Sequence, residues 1–372
     1  MQILSTSIEE AYDRGTRWSF PRYNPGDFPC VPIRIPVFTD ALSRGFNGRL
    51  QVDSLWKCGF GTADVYDCQV RYSEMQQMDK AGQVNKQLTN TCRTLRISDD
   101  DFQKIQSLVY EKAGINLHDG KKSLVQSRLS KIIRRKGLEG FREYYNLIVR
   151  DQSGNHLVEL LDAITTNHTY FFREDAHLQW LSDTILPDIL RLPDVQRDGE
   201  VRIWSAGCST GEEPYTLAIH ILERCNFPAR YRLKVLATDL STKVIRIADR
   251  GEYPEERLQQ VPASIRQRYF NRVRTEEGTS YYRVNKEVRN QITFRKFNLL
   301  SPFPFRKGFD VIFCRNVMIY FDREVQQRVV SKFVQAIKPG GYLVVGHSES
   351  LSGVEHPLKY IGPTVYKKSS AD

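Results

Sequence analysis

The chain has 372 residues, 40% of them hydrophobic and 26% charged, with a formal net charge of +10. That length holds two or three domains; no run of 18 apolar residues offers a membrane-spanning helix, and Glu9 and Glu10 stand where a secretory leader would be basic and then apolar. Seven cysteines without CxxC or Cys/His metal spacing read as reduced, buried thiols of a cytoplasmic protein, and the positive charge calls for an acidic partner, whether nucleic acid, membrane surface or protein.

Residues 1–93 place five prolines between positions 21 and 36 and sustain neither helical nor alternating periodicity, so a disordered or loosely structured extension is expected. Met75 and Met78 offer alternative starts, which would make the first segment an upstream extension. From 94 to 180 the pattern is a helical N-terminal domain and linker. "SDDDFQKIQSLVYEKAG" opens on Ser98 as an N-cap, carries three acids in its first turn and stops at Gly114. The next helix puts Val125, Leu129, Ile132 and Ile133 on one face and Arg128, Lys131 and Arg135 on an adjoining one. Lys121 to Arg142 holds eight basic residues against one acid, Glu139, which suits docking of something acidic; a merely solvated face is the alternative. "HLVELLDAIT" is again helical, so "TTNHTYFFRE" lies at a helix end. Its rings are expected to dock on a neighbouring domain, anchoring the linker, while Asn167, Thr169 and Arg173 point into a shared crevice; ordinary capping hydroxyls and core rings would be the plainer outcome.

From 181 to 372 strands and helices alternate, which implies an α/β, Rossmann-like domain: a mostly parallel sheet with helices on both faces and its ligand at the carboxyl ends of the strands. An antiparallel insert, about residues 258–292, interrupts it and is expected to be remote from the cofactor strand ends. In the first strand-to-helix turn, "SAGCSTGEEPY", Gly207 and Gly211 permit close approach of a ligand. Glu212 and Glu213 occupy the first helical turn and would repel a phosphate, so a ligand with hydroxyls and positive charge fits better, as in S-adenosylmethionine. Asp239 at the second strand end can hold a ribose diol or cap the helix starting at Ser241. Asn298 and Leu299 suit the edge and face of adenine, and Arg315, Asn316 and Tyr320 stand where the reactive part of the cofactor should lie.

Residues 97–368 resemble the chemotaxis-receptor glutamate methyltransferases (CheR type), through "TTNHTYFFRE", "WSAGCSTGEEPYTLAI", "ATDLS", "FCRNVMIYFD" and "KPGGYLVVGHSES" in order. The resemblance implies a small helical domain, a Rossmann-like methyltransferase domain with an antiparallel subdomain, and S-adenosyl-L-methionine converted to S-adenosyl-L-homocysteine without a metal. It implies that Asn167, Thr169, Arg173, Glu213, Asp239, Asn298, Leu299, Arg315 and Asn316 line the cofactor site, with Arg173 and Tyr320 nearest the transferred methyl. Which of Glu212 and Glu213 faces the ligand stays open. The expected partners are the cytoplasmic helical segments of methyl-accepting chemotaxis receptors, met by Arg128, Lys131 and Arg135 of a monomer.

A glutamate carboxylate is already the nucleophile at neutral pH, so alignment rather than a general base is required, with Arg173 as carboxylate orienter and Tyr320 shaping the methyl slot. A nucleic-acid methyltransferase is disfavoured, because "RNVMIY" stands where an N-P-P-Y-like turn would be. A cofactor-binding regulatory protein without turnover is the other alternative. Family members that dock on a receptor's C-terminal peptide carry a Gly-x-Gly loop in the insert; here Val273, Arg274 and Thr275 and a single glycine, Gly278, replace it, so methylation independent of such a peptide is expected.

Overall fold

Four helices come first: α1 (Asp99–Ala113), α2 (Lys122–Arg135), α3 (Phe141–Arg150) and α4 (Asn155–Ile164). The Ser98 side chain accepts the Asp101 N–H, and Gly114 closes α1 in the left-handed region at φ 69°. Their apolar stripes meet in a core of Ile105, Val109, Val125, Leu129, Ile133, Tyr144 and Leu160, all without exposed surface. The computed structural model describes residues 95–165, 168–225, 227–274 and 280–370. The expectations for residues 1–93, for Asn167 and for Thr275 and Gly278 lie outside them.

After the linker come α5 (Asp175–Trp180), a π turn (Leu181–Ile185), α6 (Leu186–Leu190) and α7 (Pro193–Asp198), then β1 (Glu200–Ala206), α8 (Glu212–Arg224), β2 (Arg232–Asp239) and α9 (Thr242–Arg250). The small elements β3 (Glu252–Pro254), α10 (Ala263–Tyr269), β4 (Phe270–Arg274), β5 (Ser280–Val284) and α11 (Lys286–Arg289) follow. The chain then returns through β6 (Ile292–Lys296), β7 (Phe309–Cys314), α12 (Arg323–Ala336), β8 (Ile337–Val345), β9 (Lys359–Gly362) and β10 (Val365–Lys367). None of the helices among the described residues is long and apolar enough to cross a membrane.

The main sheet runs β6-β2-β1-β7-β8-β10-β9. Its first five strands are parallel, and β10 pairs antiparallel to both β8 and β9. β7 is buried at every residue and β1 at all but Arg202, as central strands covered on both faces must be. The chain builds outward from β1 through β2 to β6, then resumes at β7 on the other side. The switch therefore falls between β1 and β7, and it opens a crevice at their carboxyl ends. Helix α12 ends at Ala336, and "IKPGG" already belongs to β8. A register shift between Phe309 and Val311 accommodates it, and Lys338 Nζ lies 2.7 Å from Asp310 Oδ1 there.

The insert is a three-stranded antiparallel sheet, β3-β5-β4, whose third strand, Glu252–Pro254, lies upstream of residue 258. It is not remote from the strand ends. Tyr253, wholly buried, donates its hydroxyl to Thr210 O in the glycine turn at 2.6 Å. Phe171 of the linker packs edge-on against Tyr253 (5.0 Å between centroids) and against Phe270 of β4 (5.4 Å). Of the three consecutive rings only Phe171 is fully buried; Tyr170 lines the crevice, and Phe172 packs at the core's edge. Truncating a buried Phe costs about 3–5 kcal/mol. Phe171→Ala should therefore lower the denaturation midpoint by that order, and protease should cut the linker faster than in the unaltered protein. Unchanged cutting would remove the ring as the linker's anchor.

Candidate active site

The crevice at the switch point is walled by three layers: α1 and α4 of the helical bundle, the linker, and the carboxyl ends of β1, β2, β6 and β7. Gly207, at φ 89°, lies so close to Val317 that an added Cβ would fall 2.3 Å from its Cγ2, so the first turn can pass under the β7 loop only without a side chain. Gly211, at φ 97°, starts α8 with comparable crowding from Ala248 and the Tyr253 hydroxyl.

The two adjacent glutamates separate completely. Glu213 faces the crevice: Ser205 Oγ donates to its Oε1 at 2.6 Å and Arg315 Nη1 to its Oε2 at 3.1 Å. Glu212 has no exposed surface and is not among the lining residues, which corrects its assignment to the cofactor. Burial raises its pKa against the opposing bond from Thr210 Oγ1, 2.6 Å away. Arg257, between β3 and α10, reaches Glu212 Oε1 at 3.4 Å and donates to Thr169 O at 2.8 Å. Consecutive residues at the start of a helix point about 100° apart, so only one of the pair can meet the ligand.

Arg315, at the end of β7, is the hub. Its guanidinium, 7% exposed as a residue, donates to Glu213 Oε2, to Glu174 Oε2 at 3.0 and 3.1 Å, and to Arg173 O at 2.6 Å. Glu174 sits in the left-handed region at φ 57°, a conformation held by these contacts and by His177 Nδ1 at 3.1 Å. Burial alone would raise its pKa, but the His177 hydrogen bond and the Arg315 charge hold it down at about 2. Burial depresses the pKa of His177, so the ring is neutral at pH 7. Its Nε2 lies 2.6 Å from Thr364 Oγ1, and its face stacks on His347 at 4.6 Å.

Asp239 ends β2 with Oδ2 accepting Ser209 N–H and Oδ1 accepting Ser241 N–H, both at 2.9 Å, and its carboxylate lines the crevice, where it can meet a diol. Burial raises its pKa. Thr169, Arg173, Asn298, Leu299, Asn316 and Tyr320 all line the same crevice. Arg173 donates to His168 O at 3.1 Å and lies 5.7 Å from the Tyr170 ring. The Asn298 amide is engaged within the protein, donating to Lys112 O at 2.8 Å and accepting Leu300 N–H at 2.9 Å. It ties β6 to α1 and leaves Leu299 to supply an apolar face. Asn316, at φ 59°, is braced by Glu349, whose Oε2 accepts the N–H groups of Asn316 (2.8 Å) and Gly346 (2.6 Å). Tyr320 is carried on a short 3-10 turn, and its carbonyl accepts Asn116 N–H at 2.8 Å.

The basic face on α2 does not reach the crevice. Arg128 Nη1 donates to the carbonyls of Ala163, Ile164 and Thr165 at 2.8–3.2 Å, capping α4. Arg135 pairs with Glu159 of α4, while Lys131 and Arg134 are exposed. Glu174, Arg257, Glu349 and Asp162 were not singled out in the sequence. Glu349 lies within "GHSES" and Glu174 ends "TTNHTYFFRE", so an acid inside a motif was the available signal.

With this geometry in place, comparison with known proteins is decisive. Residues 100–165 match the family model described as CheR methyltransferase, all-alpha domain, and residues 167–367 match CheR methyltransferase, SAM binding domain. The chain belongs to the CheR methyltransferase family. It is similar to the chemotaxis protein methyltransferase of Borreliella burgdorferi (41% identical, covering 74% of this chain and 96% of that protein). It is also similar to that of Escherichia coli K12 (39%, covering 77% and 97%) and to a probable one from Rhizobium etli (42%, covering 70% and 96%).

In this CheR chain the Glu174 carboxylate couples site geometry to pH. A folded-state pKa of about 2 against the ordinary 4.5 makes the ionised group stabilising by about 3 kcal/mol above pH 4.5, a contribution lost as pH falls toward 2. Glu174→Gln should be less stable at pH 7 and should lose less stability than the unaltered protein between pH 5 and 3. Parallel acid limbs in denaturant titrations at the two pH values would contradict the ion-pair account.

Proposed function

We propose that the protein transfers the methyl group of S-adenosylmethionine to glutamate side chains on the cytoplasmic helical segments of methyl-accepting chemotaxis receptors, forming γ-carboxyl methyl esters. Family membership carries the methyltransferase activity. The observation that carries the cofactor is the crevice itself: helix α8 presents Glu213 rather than a phosphate cradle, Asp239 turns its carboxylate to the crevice where a diol can reach it, and Leu299 offers an apolar face.

Bound there, the cofactor would supply an electrophilic methyl on sulfur. This chain's residues do the rest by placement. Thr169, Glu213, Asp239, Leu299, Arg315 and Asn316 form the cofactor walls, with Asn298 bracing the β6 end, and Asn167 completes the set in this reading. Arg173 stands at the crevice with a guanidinium able to hold the incoming carboxylate, and Tyr320 bounds the methyl slot. The nucleophile needs no general base, because a glutamate with a pKa near ~4.3 is ionised at neutral pH. Burial and alignment supply the rate: well-oriented reactants account for roughly 7–11 kcal/mol of barrier lowering. A metal has no place in this reading. The Glu174, His177 and His347 group is drawn together, but the two imidazoles are parallel within 8°, so their in-plane lone pairs cannot converge on one ion, and Arg315 already holds Glu174.

The same reading assigns residues 94–180 to receptor recognition and linkage and 181–372 to catalysis, in a cytoplasmic monomer that takes no nucleic acid. The β-insert carries no requirement for a receptor C-terminal peptide. Incubation with methyl-labelled S-adenosylmethionine and receptor signalling fragments, followed by alkali, should release labelled methanol from the ester. Alkali-stable label would refute glutamate methylation. Arg173→Ala should cut turnover by at least tenfold while the protein still binds S-adenosylhomocysteine.

Because Arg128 caps α4 and Arg135 is paired with Glu159, the exposed Lys131 and Arg134 are the proper probes of receptor docking. Lys131→Glu with Arg134→Glu should raise the apparent KM for receptor several-fold at low salt, with the difference shrinking as salt rises and kcat unchanged. Equal KM values at low salt would leave the basic face merely solvated.

A further inference from the structure

The crevice contains a carboxylate that the preceding reading does not use. Asp162, on the last turn of α4, lines it beside Asp239 and Ser241. Its Oδ1 is buried and has no hydrogen-bond partner. The other side of the group is accounted for: the Ser241 hydroxyl bonds to it, and Lys243 and Lys296 lend distant positive charge. Burial raises the pKa of Asp162, and its proximity adds to the elevation at Asp239. Two half-buried acids thus face the same crevice, one from the sheet and one from the helical bundle. A buried acceptor left unpaired is costly, and one that points into a ligand crevice is explained by a donor arriving with the ligand.

We propose that Asp162 is a second acceptor for the ribose hydroxyls of the cofactor, opposite Asp239, so that the diol is held between β2 and α4. This rests on the S-adenosylmethionine reading and deepens it. Both acids line the crevice, and the unpartnered Asp162 Oδ1 can accept one hydroxyl of a diol whose other hydroxyl meets Asp239. Adenine is provided for elsewhere, along Asn298 and Leu299 at the β6 end. The placement makes cofactor affinity depend on the helical bundle, and Arg128, by capping α4, is a positioning residue for it.

The test uses the full chain and S-adenosylhomocysteine, measured by calorimetry. Asp162→Asn and Asp162→Ala should each weaken binding about tenfold, the effect of one lost hydrogen bond to a charged acceptor. At the same time the melting temperature of the ligand-free Asp162→Asn protein should equal or exceed that of the unaltered protein, because an unpaired buried charge has been removed. The penalty should collapse with analogues lacking the 2′- or 3′-hydroxyl. If it instead persists with those and vanishes with the inosine analogue, Asp162 meets the adenine amine and the proposal is wrong. Undiminished binding by well-folded variants overturns the proposal alone. Failure of the unaltered protein to bind S-adenosylhomocysteine overturns the cofactor reading and the proposal together.

Discussion

One buried guanidinium fixes the architecture of the site. Arg315 extends from β7, the strand on which the sheet reverses direction, and joins Glu213 at the start of α8 to Glu174 and the Arg173 carbonyl in the linker. A guanidinium can remain buried there only while both carboxylates and the carbonyl surround it. Removing one partner leaves an uncompensated buried charge, a loss on the order of 3–5 kcal/mol. The cofactor turn and the linker therefore hold their places together. Arg173, whose side chain looks into the crevice, inherits its position from its own carbonyl on Arg315.

The linker is held at three further points, two from the insert and one from α8. Phe171 is clasped by rings of the insert, Arg257 donates to Thr169, and Phe172 N–H donates to Thr216 Oγ1 of α8 at 3.1 Å. On the other wall, α1 is tied to the strand ends through Lys112 O with Asn298, the Ile115–Phe321 bridge, and Asn116 N–H with the Tyr320 carbonyl. The crevice is thus a joint among helices, insert and sheet, and a displacement of any layer moves a wall of it.

Charge is distributed to match. The crevice is lined by Asp162, Glu213 and Asp239, an acidic interior suited to a cationic ligand, together with Arg173 from the linker and Arg315 from the end of β7. The outer surface of α2 is basic, although part of that charge is turned inward: Arg128 serves α4, and Arg135 is answered by Glu159. What remains for an acidic partner is narrower than a count of basic residues indicates.

The sequence by itself determined the periodicities and hence the layers: helices capped at Ser98 and Gly114, apolar β1 and β7, the glycine turn, and Asp239 at a strand end. These are local properties, fixed by backbone conformation, capping and alternation. The family resemblance of the motifs also implied that Thr169, Arg173, Glu213, Arg315 and Tyr320 gather at the cofactor site. Only the tertiary structure decided which of Glu212 and Glu213 faces the crevice, that Arg128 caps α4, that Glu349 is buried, and that Glu174 and Asp162 are half-buried beside the crevice. Those outcomes depend on contacts between residues tens to more than a hundred positions apart. Adjacent side chains are sorted by the surface they meet, and no local pattern records the partner that a charge finds once water is excluded.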